Sequence, residues 1–510
     1  MVRRNIVKDT LILTIIQFFL ECLSLVINVW VAKKVGSATV GVTALTSSFF
    51  NLASTLANGN GFLCTSRFVS EELGKPSGNP NRILFYALSF CSILGVLVSG
   101  ILFVFSHEFS VQFFHSEDMA FPVKLMALTL PFGGICACLK GYLNAFCRVI
   151  SAAICDVAEF IVRTSVLMIL LLSAHSYTKA SVCMAFAISI ASGTIIAFIL
   201  LLFFCHNCLH GIRKKSSISI KRYISLAIPV IFGGCLTSFL STTNDALIPV
   251  TLKQAGNSTD SAFSQFGIFE AIVIPVLFFP STILCALSGI LITEAARASA
   301  EGNDKRLKRL TESVFQMTIL ISVFVVAVLL EFGDVIGKLL DGGTLAGYLI
   351  RLLAPVVPFI YLEIVLEALI KGMGKQNFSS LNYLAEYIIR ISVVLICIPL
   401  FGFYGIVLSY YASNVFGNCN RFRKVCKTAK LKPKWMTILV IPLISVLFSF
   451  QIPKLICNIF LDSVSVNLRT GIIALSGTLI YGLLTYFFIG KLPKLRESNS
   501  KLSHQQICME

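Results

Sequence analysis

Charge is what this 510-residue chain has least of: Asp, Glu, Lys and Arg together make up 13%, against 56% hydrophobic residues. A soluble chain could not hide that much apolar surface, because packed cores stop growing near ~250–300 residues. No P-loop, Ser/His/Asp set, metal cluster or paired-carboxylate site occurs in a soluble segment, so the sequence reads as neither an enzyme nor a holder of a cofactor or metal. Every loop is short, which leaves no room for a nucleotide-binding domain and excludes an ATP-driven pump without a separate subunit. None of the six histidines lies deep in an apolar run, which argues against a His-based proton relay. The seventeen cysteines are scattered through apolar segments as small hydrophobes and form no disulfide framework. Cys205-His206-Asn207-Cys208, with His210 nearby, lacks a second ligand pair and reads as a helix end rather than a metal site.

What fills the chain instead is a series of apolar segments with short polar loops between them, and a mean hydropathy of +0.85. About twenty residues at ~1.5 Å each cross the ~30 Å hydrocarbon layer, so each segment is long enough to span a membrane. Fourteen spans are expected, at about 10–32, 39–64, 83–106, 119–140, 152–174, 180–205, 223–250, 262–292, 310–332, 345–370, 379–400, 403–420, 436–456 and 469–490. The first apolar stretch is too long for a cleaved signal peptide and is expected to stay as the first helix. With both termini in the cytoplasm, 31 of the 42 Lys and Arg fall in inner loops and 9 in outer ones, while Arg163 and Arg390 lie within spans. That split follows the positive-inside rule. The net charge of +17 is therefore a matter of topology and does not indicate a nucleic-acid partner.

The spans contain an internal repeat. Residues 158–166 read AEFIVRTSV and residues 385–393 read AEYIIRISV, six identities in nine, and each copy follows a Lys-Gly pair, Lys140-Gly141 and Lys371-Gly372. Lys33-Lys34-Val35-Gly36 matches Lys253-Gln254-Ala255-Gly256 at a similar offset. A duplicated six-span unit follows, and an even number of spans gives both copies the same orientation, with a cavity between two bundles. The expected fold is an all-α polytopic membrane protein of fourteen transmembrane helices: two pseudo-twofold related six-helix bundles, 1–205 and 223–420, plus a C-terminal helix pair, 436–490. A basic cytoplasmic linker, 206–222, a basic cytoplasmic loop, 421–435, and a cytoplasmic tail, 491–510, complete it.

Charges inside hydrocarbon are costly and face a cavity or a partner. Glu159 and Arg163 stand four residues apart on one helical face, as do Glu386 and Arg390. Two readings stay open for them: self-neutralising intrahelical pairs, or charges at the inner mouth that touch an anionic head group. Asp245, Glu270 and Glu367, like Glu21 and Glu363, are acids with no near cation in sequence. Prolines follow Asp245 (Pro249) and Glu270 (Pro275, Pro280), and the carbonyls they free are tolerated only at a cavity wall. An H+ or Na+ coupling site there stands beside acids satisfied by interhelical hydrogen bonds. The second span is unusually polar, from Ser47 through Asn51 and Asn58 to Arg67, with a helix break expected at Asn58-Gly59-Asn60-Gly61. Cavity lining and interhelical packing both account for it.

The stretch GFLCTSRFVSEELG at 61–74, Lys140-Gly141-Tyr142 with the AEFIVR helix, and PVVPFIYLEIVLEALIKGMGKQN at 355–377 resemble the multidrug/oligosaccharidyl-lipid/polysaccharide (MOP) exporter superfamily, most closely the stage V sporulation protein B branch. The resemblance implies two six-helix bundles plus two helices, alternating access, and a groove for a lipid tail. It implies a flippase for undecaprenyl-linked peptidoglycan or polysaccharide precursors, in sporulation or elsewhere, in the cytoplasmic membrane of a bacterium. It also implies a cation where this chain has Asn28, while Lys33 matches the second expected cation. On this reading the pathway residues are Asn28, Asn51, Asn58, Arg67, Glu159, Arg163, Glu386 and Arg390, and the partners are a lipid-linked saccharide and membrane lipids around a monomer. The alternative is a multidrug-extrusion antiporter for amphipathic cations that uses Asp245 or Glu270. The two differ in the sign of the cavity, expected to be net positive for the flippase.

Overall fold

The computed structural model describes residues 6–73, 79–114, 117–146, 148–174, 177–206, 220–431, 440–460 and 466–489. Most of the expected linker 206–222, residues 432–439 of the expected basic loop, the tail 491–510, Cys208 and His210 lie outside the described residues. Among the described residues every regular element is helical. The main helices are α1 (Ile6–Val35), α2 (Ser37–Asn58), α3 (Gly61–Leu73), α4 (Pro80–Val104), α5 (Ser106–Phe114), α6 (Ala120–Ala145), α7 (Val149–Ser173), α8 (Lys179–His206), α9 (Ile220–Gln254), α10 (Thr259–Ile268), α11 (Ile274–Phe278), α12 (Thr282–Ala300) and α13 (Asp304–Leu339). They continue with α14 (Gly343–Leu353), α15 (Val357–Gly372), α16 (Gln376–Phe401), α17 (Phe403–Thr428), α18 (Ile441–Phe460) and α19 (Val466–Ile489).

Among the described residues, nine stretches are long and apolar enough to cross a membrane. The other five expected spans fall on α7, α9, α17, α18 and α19, which do not meet that length-and-composition test. The outward faces suit lipid. On α19, Leu475, Leu479 and Leu483 repeat every four residues and are 61–72% exposed. A water-soluble surface does not carry such a stripe, whereas hydrocarbon solvates it. The chain is a multi-pass membrane protein.

The residues form two compact units, one of Met1–Pro275 with Tyr387–Ser409, the other of Val276–Glu386 with Tyr410–Glu510. Neither boundary coincides with the expected division at 206–222. In the first unit the expected break is present: α2 ends at Asn58, Gly59 and Asn60 take positive φ of 52° and 51°, and α3 restarts at Gly61. α2 also crosses α10 almost backbone to backbone. A Cβ on Gly267 would lie 2.6 Å from the Gly41 nitrogen, and the Ser37 and Ser264 hydroxyls are hydrogen-bonded at 2.6 Å. In the second unit α12 runs along α15, and α18 and α19 pack on each other and on α13. Phe324 stacks on Tyr481 at 5.3 Å, the Tyr481 hydroxyl donates to the Leu320 carbonyl at 2.9 Å, and Lys454 pairs with Glu331 at 2.7 Å.

Local devices recur at positions that the sequence repeat would pair. Gly36, before α2, and Gly256, before α10, both take positive φ, 83° and 92°. Asn79 caps α4 by accepting from the Arg82 amide at 3.1 Å, and Asn303 caps α13 by accepting from the Arg306 amide at 3.0 Å. The helix on which the expected span 403–420 falls, α17, continues to Thr428 and carries Arg421 inside it.

Leucine at position 267 would force α2 and α10 apart at a cost of about 1–3 kcal/mol. Thermal unfolding in detergent should therefore show a lower midpoint for Gly267→Leu. Gly100→Leu, on an exposed face with nothing within 4 Å of its Cβ, should leave the midpoint unchanged or raise it, since leucine favours a helix by up to about 1 kcal/mol.

Candidate functional site

A cavity of about 560 Å³ opens within the first unit. Its polar wall comes from Asn28 on α1 and from Ser47, Asn51, Ser54 and Asn58 on α2, one face of that helix down to the break. The Asn58 amide donates to the Ser54 hydroxyl at 3.0 Å, while its carbonyl oxygen is buried with no hydrogen-bond partner. Opposite stand Lys140 on α6 and Glu159 and Arg163 on α7. Lys140 Nζ lies 2.6 Å from Asp156 and 3.2 Å from Glu159, so one ammonium holds two carboxylates. Glu159 thus turns to Lys140 on a neighbouring helix and not to Arg163, which corrects the intrahelical pairing for this copy. Interhelical burial outweighs an i,i+4 pair worth only about 0.2–0.5 kcal/mol. Arg163 is exposed to the cavity and makes no ion pair among the described residues. With two cations and one acid, the lining is net positive.

A second cavity of about 370 Å³ adjoins it and shares Asn28, Ser47 and Asn51. Asp245 on α9 and Glu270 line it. Asp245 accepts from the Ser48 hydroxyl at 2.5 Å and from the Asn244 amide at 3.3 Å. Glu270 sits on a single π-helical turn, Phe269–Val273, between α10 and α11. Such turns displace side chains from helical register and recur at functional sites. Arg390, half-buried on α16 beside Tyr387, is within electrostatic reach of both acids. Arg67, on α3, is exposed and belongs to neither lining.

Glu367 and Glu386 lie in the second unit, around a residue that hydropathy had assigned to a loop. Arg421 on α17 is fully buried, 0% exposed. Its guanidinium reaches Glu386 at 2.9 Å and Glu363 and Glu367 at 3.3 Å each, and lies 4.5 Å over the Tyr383 ring. Glu367 also accepts from Ser379 and pairs with Lys371 at 3.4 Å. Glu363 therefore has its cation more than fifty residues along the chain, and Glu367 shares it while also holding Lys371 four residues on. A signal existed: Asn414, Asn418 and Arg421 fall on one face of α17, and the two asparagines are buried as well. Lys140 was visible as half of a Lys-Gly pair, but its role depends on two carboxylates that only the fold brings to it.

The family described as polysaccharide biosynthesis protein matches residues 6–288. Stage V sporulation protein B of Bacillus subtilis (strain 168) is 22% identical over 412 residues, 78% of each chain. Among solved structures, the lipid II flippase MurJ in an inward closed conformation superposes with a TM-score of 0.67 at 14% identity, covering 94% of this chain and 99% of that one. An inward-facing multidrug resistance MATE family transporter of the MOP superfamily superposes at 0.60 and 14% identity, covering 81% and 95%. The fold is that of MOP-superfamily transporters.

Replacing Arg421 by methionine takes the cation from the buried Glu367 and Glu386 and the half-buried Glu363 and should cost about 3–5 kcal/mol in denaturant or thermal unfolding. Lys430→Met, at the exposed Lys430–Asp304 pair, should change stability by only about 0–1 kcal/mol.

Proposed function

The chain belongs to the polysaccharide biosynthesis protein family, and from that membership we propose that it is a flippase moving undecaprenyl-linked cell-wall or polysaccharide precursors across a bacterial cytoplasmic membrane. Fourteen spans, with both termini in the cytoplasm, form two six-helix bundles, 1–205 and 223–420, and an added pair, 436–490. The bundles alternate access to the head group while the polyprenyl tail stays in lipid. The protein works as a monomer. The likeness in fold to the lipid II flippase MurJ supports this reading.

The observation that carries it is Arg163, a cation facing a polar cavity without a carboxylate of its own. A guanidinium in that position suits a pyrophosphate, whose oxygens match its planar fork. Asn28, Asn51 and Asn58, with a buried carbonyl oxygen left over, suit sugar hydroxyls. Asp245 and Glu270, with Arg390 in reach, supply an H+ or Na+ site that couples the cycle. Glu367 and Glu386 are structural on this reading, held by Arg421, and Arg67 stands apart from the cargo.

A second reading has its own observation: the acids lining the 370 Å³ cavity would suit an amphipathic cation in a multidrug antiporter. Reconstituted protein separates the two. Arg163→Gln should slow transport of a fluorescent lipid-linked saccharide about tenfold or more, the value of one charge-assisted contact of ~1.5–3 kcal/mol. Arg67→Gln should leave the rate near wild type. Export of a cationic dye that survives Arg163→Gln and is lost in Glu270→Gln would establish the antiporter instead.

A further inference from the structure

The two copies of the repeat share a helix pair with one difference. In the first, α8 lies so close to α7 at Gly193 that a Cβ there would stand 3.2 Å from the Glu159 carbonyl and 3.4 Å from its Cγ. In the second, α17 meets α16 at Gly417, where a Cβ would stand 2.7 Å from the Glu386 Cδ. Glu159 and Glu386 are the matching acids of AEFIVR and AEYIIR, so the two glycines are counterparts. Four residues beyond each glycine the copies diverge: Ala197 in one, Arg421 in the other. Ala197 lines the 560 Å³ cavity. Arg421 fills its place with a guanidinium that binds the matching acid at 2.9 Å and is closed off from solvent by Glu363, Glu367 and Tyr383.

We propose that Arg421 is a tethered occupant, filling in the second copy the space that the first copy keeps open at Ala197, so that the chain has one head-group chamber and that chamber lies in the first copy. The nature of the head group rests on the flippase reading, whereas the asymmetry does not. The ion pairing agrees with it. In the first copy Lys140 is held by Asp156 and Glu159, while Arg163 faces the cavity with no ion pair among the described residues and can take an anion from outside. In the second, Arg421 and Lys371 are consumed by Glu363, Glu367 and Glu386. An alanine at 197 is then the specificity-determining choice, because any longer side chain there would occupy the chamber.

Thiol labelling tests this without a substrate. Thr194 and Asn418 each stand three residues before the divergent position, one lining the cavity and the other buried. With the full chain in proteoliposomes and labelling by a water-soluble maleimide read site by site by mass spectrometry, Thr194→Cys should react at least tenfold faster than Asn418→Cys. Adding Ala197→Arg should protect Thr194→Cys at least tenfold, because Gly193 leaves room for the new side chain to reach Glu159. Should Ala197→Arg fail to fold, Arg421→Ala with Glu386→Gln and Glu363→Gln removes the occupant together with two of its acids and should make Asn418→Cys reactive. Equal rates at 194 and 418 in the parent chain overturn the proposal. So does unchanged labelling of Thr194→Cys in a folded Ala197→Arg variant. Loss of saccharide transport alone, with the labelling pattern as expected, overturns the flippase reading and leaves the single chamber standing.

Discussion

A charge carried into hydrocarbon has no water to fall back on, so it must be answered within the protein. That constraint organises this molecule. Lys140 stands between Asp156 and Glu159, Arg421 among three glutamates, and Asp245 against Ser48 and Asn244. Where a cation is enclosed by its partners, as Arg421 is by three glutamates and Tyr383, it is closed off from solvent. Where it is not, as at Arg163, the structure opens a cavity. The same rule that holds the helices together therefore also marks where a polar cargo could be held.

The two cavities of the first unit differ in the sign of their walls, one bearing Lys140 and Arg163 against Glu159, the other Asp245 and Glu270. They meet along Asn28, Ser47 and Asn51, neutral side chains that donate and accept equally. A polar seam of that kind lets a charge change on the acidic side be felt at the basic side through α2, which contributes to both linings. On the proposed flippase reading, coupling of an ion to a head group needs no long pathway, only the helix shared by the two linings, whose Ser48 hydroxyl donates to Asp245.

The helical runs, the break after Asn58 and the placement of intramembrane charge were legible in the sequence, because apolar length and Asn-Gly chemistry act locally. Asn28, Asn51, Asn58, Glu159 and Arg163 come together on one cavity, and Asp245 and Glu270 on the next, since a polar residue in a span must point inward. Partner choice was not legible. Glu159 prefers Lys140 to Arg163, and Glu363 and Glu367 find Arg421 on another helix, choices made by packing rather than spacing. The apolar run on α17 ends at 420, and Arg421 reads as a loop cation until the three carboxylates that accept it are in view. Arg67 closes the polar run in sequence but stands on α3, beyond the break, exposed and outside both linings.

A structure of the reconstituted protein with a lipid-linked saccharide bound would show which cavity holds the head group. The expected result is a pyrophosphate oxygen within about 2.7–3.2 Å of the Arg163 guanidinium, in the first cavity. A head group seated against Asp245 and Glu270, with Arg163 unoccupied, would contradict it.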